Sequence, residues 1–257
     1  MNIPQLTIQG HGEPLFWLHG MLNSVELDSA YSLINFQELD ELVTLYRYNY
    51  CDKSVSGNYT WEYLSRELIN IVNCQNHQRV ILAGLSMGSG TILHAAVNYP
   101  EKVKALILVT PPPAWESREK VKAVYRKVAA KTNSNNLPEI LKRIVSWSQE
   151  PPEYYEEKHP GTRKLIQELR LSFEPAYYTR LYLDGAASDM PSREQIARIH
   201  VPTLIIAHHN DENHPLEIAK ELNNLIDGSE LTVISTYSDY ENAQTKMKEF
   251  IKQIRSK

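Results

Sequence analysis

Six short apolar runs punctuate the chain: Leu15 to Leu18, Val43 to Tyr50, Val80 to Ala83, Leu106 to Val109, Leu204 to Ala207 and Leu231 to Ile234. Each is four to eight residues long and rich in branched side chains, the pattern of strands buried on both faces. Between them, Trp61 to Asn73, Gly90 to Asn98, Leu216 to Ile226 and Ala243 to Ile254 carry apolar residues near helical spacing. Alternating strand and helix signals predict an α/β fold, with a mostly parallel central sheet covered by helices on both faces. From Pro111-Pro112-Pro113 to about Arg198 the alternation stops, and helical periodicity with several prolines takes its place. We therefore expect a core of residues 1–110 and 199–257 interrupted by an inserted helical cap at 111–198. Within that insert the Asn-rich Thr132 to Asn136 predicts a loop before a helix starting near Pro138.

Composition narrows the picture. The 257 residues are 42% hydrophobic and 23% charged, which excludes disorder, collagen-like repeats and coiled coil. No apolar stretch approaches 18 residues, and Met1 to Gly12 lacks the basic-then-apolar layout of a signal peptide, so we expect a cytoplasmic protein without a membrane partner. A net charge of -4 argues against nucleic acid, which demands a basic face. The two cysteines, Cys51 and Cys74, match no metal spacing and read as reduced thiols.

Chemistry enters at Gly84-Leu85-Ser86-Met87-Gly88, which directly follows the run Val80 to Ala83 and precedes a small-residue helix. The bare Gly-x-Ser-x-Gly string occurs by chance in about one chain in ten of this length. Its position between strand and helix is what identifies a nucleophile elbow, a sharp turn that presents the Ser86 hydroxyl at the sheet edge. A second piece fits independently. The run Leu15 to Leu18 ends in His19-Gly20-Met21, a turn that places free backbone N–H groups beside the elbow. The Met21 and Met87 amides are the candidate oxyanion hole, with His19 and Gly20 beside the substrate.

These pieces together resemble the α/β-hydrolase superfamily over nearly the whole chain, including Val201-Pro202-Thr203-Leu204 before an acidic loop. The resemblance implies an α/β-hydrolase fold with a helical cap and a catalytic acid after that strand; we expect no cofactor, and no metal either, since His208, His209, Asp211 and His214 are metal-ligand types crowded into seven residues without any known ligand spacing. Asp211, followed shortly by Pro215, occupies the matching position, whereas Asp189 reads as structural. The family's general base lies in the loop between the last strand and the last helix. Here that stretch, Ser235 to Asn242, contains no histidine, and none follows His214. Asp239 or Glu241 would be poor substitutes. A second departure is Cys51-Asp52-Lys53-Ser54-Val55-Ser56-Gly57, where relatives commonly carry Asp-x-Arg-Gly-x-Gly-x-Ser.

His214, three positions beyond Asp211, is the candidate replacement base. His94 is eight residues along the same helix as Ser86, about 12 Å up the axis, and is out of reach. His208 and His209 read as packing or surface residues, and His11, His77, His159 and His200 carry no signal. The insert holds nine of the chain's 23 aromatic residues, among them Tyr154, Tyr155, Tyr177, Tyr178 and Tyr182. They serve either to pack the insert or to line a pocket for an apolar or aromatic small molecule; Tyr154 and Tyr178 are the candidates for substrate contact.

Three functions are compatible with these features. The first is esterase or thioesterase-type hydrolysis of a small acyl compound by Ser86, Asp211 and His214. The second is isomerase, cyclase or lyase chemistry on a hydrophobic metabolite, favoured by the missing histidine. The third is ligand binding without turnover on the same scaffold.

Overall fold

In the computed structural model, which describes residues 4–50, 57–132, 137–146 and 150–256, all six apolar runs are strands of one seven-stranded sheet. The strands are β1 (Thr7–Gly10), β2 (Glu13–Leu18), β3 (Val43–Arg47), β4 (Val80–Leu85), β5 (Val103–Val109), β6 (Thr203–His208) and β7 (Glu230–Ile234), in the order β1-β3-β2-β4-β5-β6-β7. Every pairing is parallel except β1 with β3. The sequence pattern missed β1 because Thr-Ile-Gln-Gly is a largely exposed edge strand with no apolar run. It also carried β3 on to Tyr50. The ladder stops at Arg47, the last residue of β3 with partners on β1 and β2, and Tyr50 instead donates its hydroxyl to the His19 carbonyl at 2.7 Å.

Alternate residues of each central strand enter two cores. Phe16, Leu82, Leu106 and Ile205 pack on one face with α2 (Trp61–Cys74), α3 (Met87–Asn98) and α10 (Leu216–Leu225). Leu15, Ile81, Ile107 and Leu204 pack on the other with α11 (Tyr237–Arg255). Both faces are dry, which is why these strands read as continuous apolar runs. The first helix, α1 (Val25–Ala30), follows β2.

Six helices separate β5 from β6 among the described residues: α4 (Trp115–Thr132), α5 (Leu137–Ser146), α6 (Glu153–Lys158), α7 (Thr162–Leu171), α8 (Pro175–Ala187) and α9 (Arg193–Ile196). A buried cation ties this insert to the core. Arg118 of α4 donates to the Ser188 and Gly185 carbonyls at 3.1 and 2.8 Å, and its guanidinium lies 4.4 Å over the Trp61 ring of α2.

At the far end, α11 begins much earlier than its apolar periodicity indicated. Only Ser235 and Thr236 lie between β7 and α11, so the eight-residue loop expected at Ser235 to Asn242 does not exist. The Thr236 side chain accepts from the Asp239 amide, and the Asp239 carboxylate accepts from the amides of Ser235 and Thr236, a capping box that starts the helix. Cys74 is a free, exposed thiol, while Cys51 to Ser56 lie outside the described residues. No described helix is long and apolar enough to cross a membrane.

Candidate active site

Ser86 joins β4 to α3 with φ of 52° and ψ of -109°, a conformation that costs a non-glycine residue strain energy and that the surrounding packing must hold. Glycine is required on both sides of it. A Cβ at Gly84 would stand 2.4 Å from the Gly88 carbonyl carbon, and one at Gly88 would stand 2.2 Å from the Leu18 carbonyl oxygen. The Ser86 amide donates to Val109 O at 2.9 Å. Buried Ser89 adds a staple that sequence reasoning overlooked: its hydroxyl lies 2.6 Å from Gly84 O and accepts the Val109 amide at 3.1 Å, tying the elbow to β5. A serine between two glycines gave no pattern by which to find it.

The loop after β6 carries the other two groups. Asp211 Oδ1 accepts from the amides of Asn213 at 2.9 Å and His214 at 3.2 Å, an Asx-turn that curls the chain back on itself. The curl brings His214 Nδ1 to 2.7 Å from Asp211 Oδ2 and leaves His214 Nε2 2.8 Å from Ser86 Oγ. With Nδ1–H donating to the carboxylate, Nε2 is the acceptor for the serine hydroxyl. Pro215, at the N-cap of α10, then directs the chain away. Burial pushes the Asp211 carboxyl upward, but the hydrogen bond and charge of His214 and the Asn213 amide outweigh it and hold Asp211 below the usual carboxylate range. The acid therefore stays ionised beside the imidazole.

On the opposite side of Ser86, the Met87 amide opens α3, where the helix dipole favours negative charge. The Met21 amide lies in the turn after β2. Neither amide has a hydrogen-bond acceptor among the described residues. Gly20 and Met21 line the same cavity as Ser86, of about 420 Å³, whose remaining wall includes Pro112, Val121, Val124, Tyr125, Ile144 and Tyr182. A neighbouring cavity of about 570 Å³ meets it at His214, Asn23, Glu150 and Arg170 and continues past Thr110, His208 and Asp211. Arg170 is ion-paired to Glu150 and donates to Leu22 O at 3.1 Å. Charged residues of this kind read as surface in the sequence, and so were missed.

Not every candidate lands in the wall. His19 is buried, with Nδ1 2.8 Å from Gly20 O and its ring 4.2 Å from that of Tyr50, so it shapes the turn and does not line either cavity. Tyr178 is fully buried with its hydroxyl donating to Arg170 O, a packing residue behind the site. Tyr154 also stands behind the wall, hydrogen-bonded to His208 Nε2 at 3.1 Å. Tyr182 and Tyr125 are the insert tyrosines that reach the serine's cavity. His208 itself is pushed down to about 4 by burial and is neutral near pH 7. Asp189 accepts from the Trp115 amide at 3.0 Å and pairs with Lys122 at 2.9 Å, a structural role, and His94 faces the Asp189 carbonyl at 2.8 Å.

Comparison with known proteins places the chain in a family. The chain is 27% identical over 237 residues to an AB hydrolase superfamily protein, YisY, of Bacillus subtilis, covering 86% of this chain and 83% of that one. It is 25% identical over 164 residues, 61% of each chain, to the pimeloyl-[acyl-carrier protein] methyl ester esterase of Wigglesworthia glossinidia brevipalpis. A thermophilic esterase from Thermogutta terrifontis superposes with a TM-score of 0.83 over 98% of this chain and 93% of its own, and at 20% identity that likeness is one of fold. The model of the alpha/beta hydrolase fold family matches residues 14–239, and the chain belongs to that family.

Proposed function

We propose that the protein is a serine hydrolase that cleaves a small ester or related acyl compound, with Ser86 as nucleophile, His214 as general base and Asp211 as its orienting acid. The observation that carries this reading is the unbroken relay from Asp211 Oδ2 to His214 Nδ1 at 2.7 Å and from His214 Nε2 to Ser86 Oγ at 2.8 Å. In the first step Nε2 takes the hydroxyl proton as Oγ attacks the carbonyl carbon, and the Met21 and Met87 amides hold the developing oxyanion. Asp211 stabilises the imidazolium without accepting its proton. The imidazolium then protonates the leaving group, and water, deprotonated by His214, releases the acid from the acyl-enzyme.

The apolar stretch of cavity wall made by Pro112, Val121, Val124 and Ile144 suits the acyl chain, and the 111–198 insert that supplies it acts as a cap. Two of the similar proteins are described as esterases, which favours an ester as the bond. The case for non-hydrolytic chemistry rests on the missing histidine and the altered stretch after Tyr50; the 2.8 Å approach of His214 to Ser86 Oγ speaks against the first, and Cys51 to Ser56 lie outside the described residues. The test is turnover of p-nitrophenyl butyrate by the wild-type protein. Ser86→Ala is expected to lower kcat by roughly 10⁴-fold or more, and full activity in that variant would refute the assignment.

A further inference from the structure

One strained residue beside the site takes no part in the mechanism above. Thr110 follows the last residue of β5 with φ of 40°, an unusual conformation for a β-branched side chain. Its amide is held by Ile206 O at 2.7 Å. The residue is 2% exposed, yet its hydroxyl has no hydrogen-bond partner among the described residues. Strain and an unmatched buried hydroxyl in one residue are together the mark of a position shaped for binding. Thr110 lines the cavity of about 570 Å³ that reaches past His214 to Asp211 and His208, not the one that contains Ser86.

The direction of proton transfer says what that cavity receives. His214 Nε2 must hand its proton to the departing oxygen, so the leaving group lies on the imidazole side of Ser86 while the acyl chain lies on the other. Ser32, Thr110 and Asn210 line this cavity and not the serine's, beside apolar Leu27, Leu33 and Ile166, while Asn23 and the Glu150–Arg170 pair stand where the two cavities meet. We infer that this cavity is the leaving-group subsite, that it takes a small hydroxylated alcohol, and that the Thr110 hydroxyl is a specificity-determining contact to it. The inference rests on the hydrolase reading and extends it. A threonine hydroxyl turns about χ1 and can both donate to and accept from an alcohol substituent. An alcohol lacking hydroxyls would leave the Thr110 hydroxyl unmatched, and discrimination of that kind is large compared with that of apolar pockets.

Two butyrate esters that differ only in two hydroxyls test it: 2,3-dihydroxypropyl butyrate and propyl butyrate. The wild-type protein is expected to prefer the dihydroxypropyl ester by about tenfold in kcat/KM, the loss expected when one buried hydrogen bond goes unmade. Thr110→Val should reduce that ratio at least about fivefold, and Thr110→Ser, which restores the hydroxyl, should recover it. If Thr110→Val does not fold, the wild-type ratio together with that of Thr110→Ser decides the matter. Hydrolysis of propyl butyrate that depends on Ser86, with a wild-type ratio near one or a ratio unmoved by Thr110→Val, would overturn the subsite and leave the hydrolase reading intact. Hydrolysis of neither ester would overturn both.

Discussion

The segment after β6 and the segment after β7 begin as equivalent ends of neighbouring parallel strands and finish very differently. After β6, His209 to Pro215 forms a loop whose Asx-turn folds Asp211 and His214 together and aims the imidazole at Ser86. After β7, two residues suffice before the Thr236–Asp239 capping box starts α11, and Tyr237 and Tyr240 of that helix pack against the Tyr155 ring of the insert. A capped helix start leaves no slack for a side chain to swing toward the elbow. On the proposed reading, acid and base need not come from separate strands: a three-residue spacing on one turn joins Asp211 to His214 and His214 to Ser86, and the second strand end becomes free for packing.

The largest effect that would sharpen this contrast comes from the shared turn. Asp211→Asn keeps the shape but removes the charge and inverts the preferred imidazole tautomer, and is expected to lower kcat by roughly 10³- to 10⁴-fold in an ester assay. An intermediate effect comes from the strand end that begins the loop. Because burial depresses His208 from 6.5 to about 4, the folded protein binds fewer protons there than the unfolded chain between those values. The stability this residue contributes is present above pH 6.5 and is lost as the pH falls toward 4, by about 3 kcal/mol. Denaturant titrations at pH 7 and pH 4.5 should show that His208→Asn flattens the acid side of the profile. The smallest effect belongs to the other segment. Thr236→Ala should cost about 1 kcal/mol of stability through loss of the cap and leave kcat within about twofold of wild type. A large loss of turnover in that variant would mean that the β7–α11 junction is not the passive member of the pair.

The elements that position the site were legible because their physics is local. Buried parallel strands produce apolar runs, and the elbow declares itself through glycines that sterics demand, as at Gly84 and Gly88. Asp211 and His214 could be named as candidates, but not joined, since the turn that unites them depends on a side-chain oxygen bonding to two amides. The capping box at Thr236 was present as a Thr-x-x-Asp string and was passed over in favour of apolar periodicity, which starts later along α11. The insert was hardest to read. Its tyrosines are chemically alike, and Tyr182, which lines a cavity, and Tyr178, which packs behind it, lie one turn apart on the same face of α8, so the difference is set by where along that helix the cavity wall passes. The ion pair of Glu150 and Arg170 joins residues 20 apart on different segments, and no periodicity connects them.

The relay through His214 is tested most directly by the rate at which a fluorophosphonate labels Ser86, measured by mass spectrometry in the wild type and in His214→Ala. Labelling requires an activated serine but no particular substrate, so it is independent of what fills the cavities. We expect rapid labelling of Ser86 in the wild type and a loss of at least roughly 10³-fold in His214→Ala. Labelling of the variant at the wild-type rate would contradict the assignment of His214 as the base.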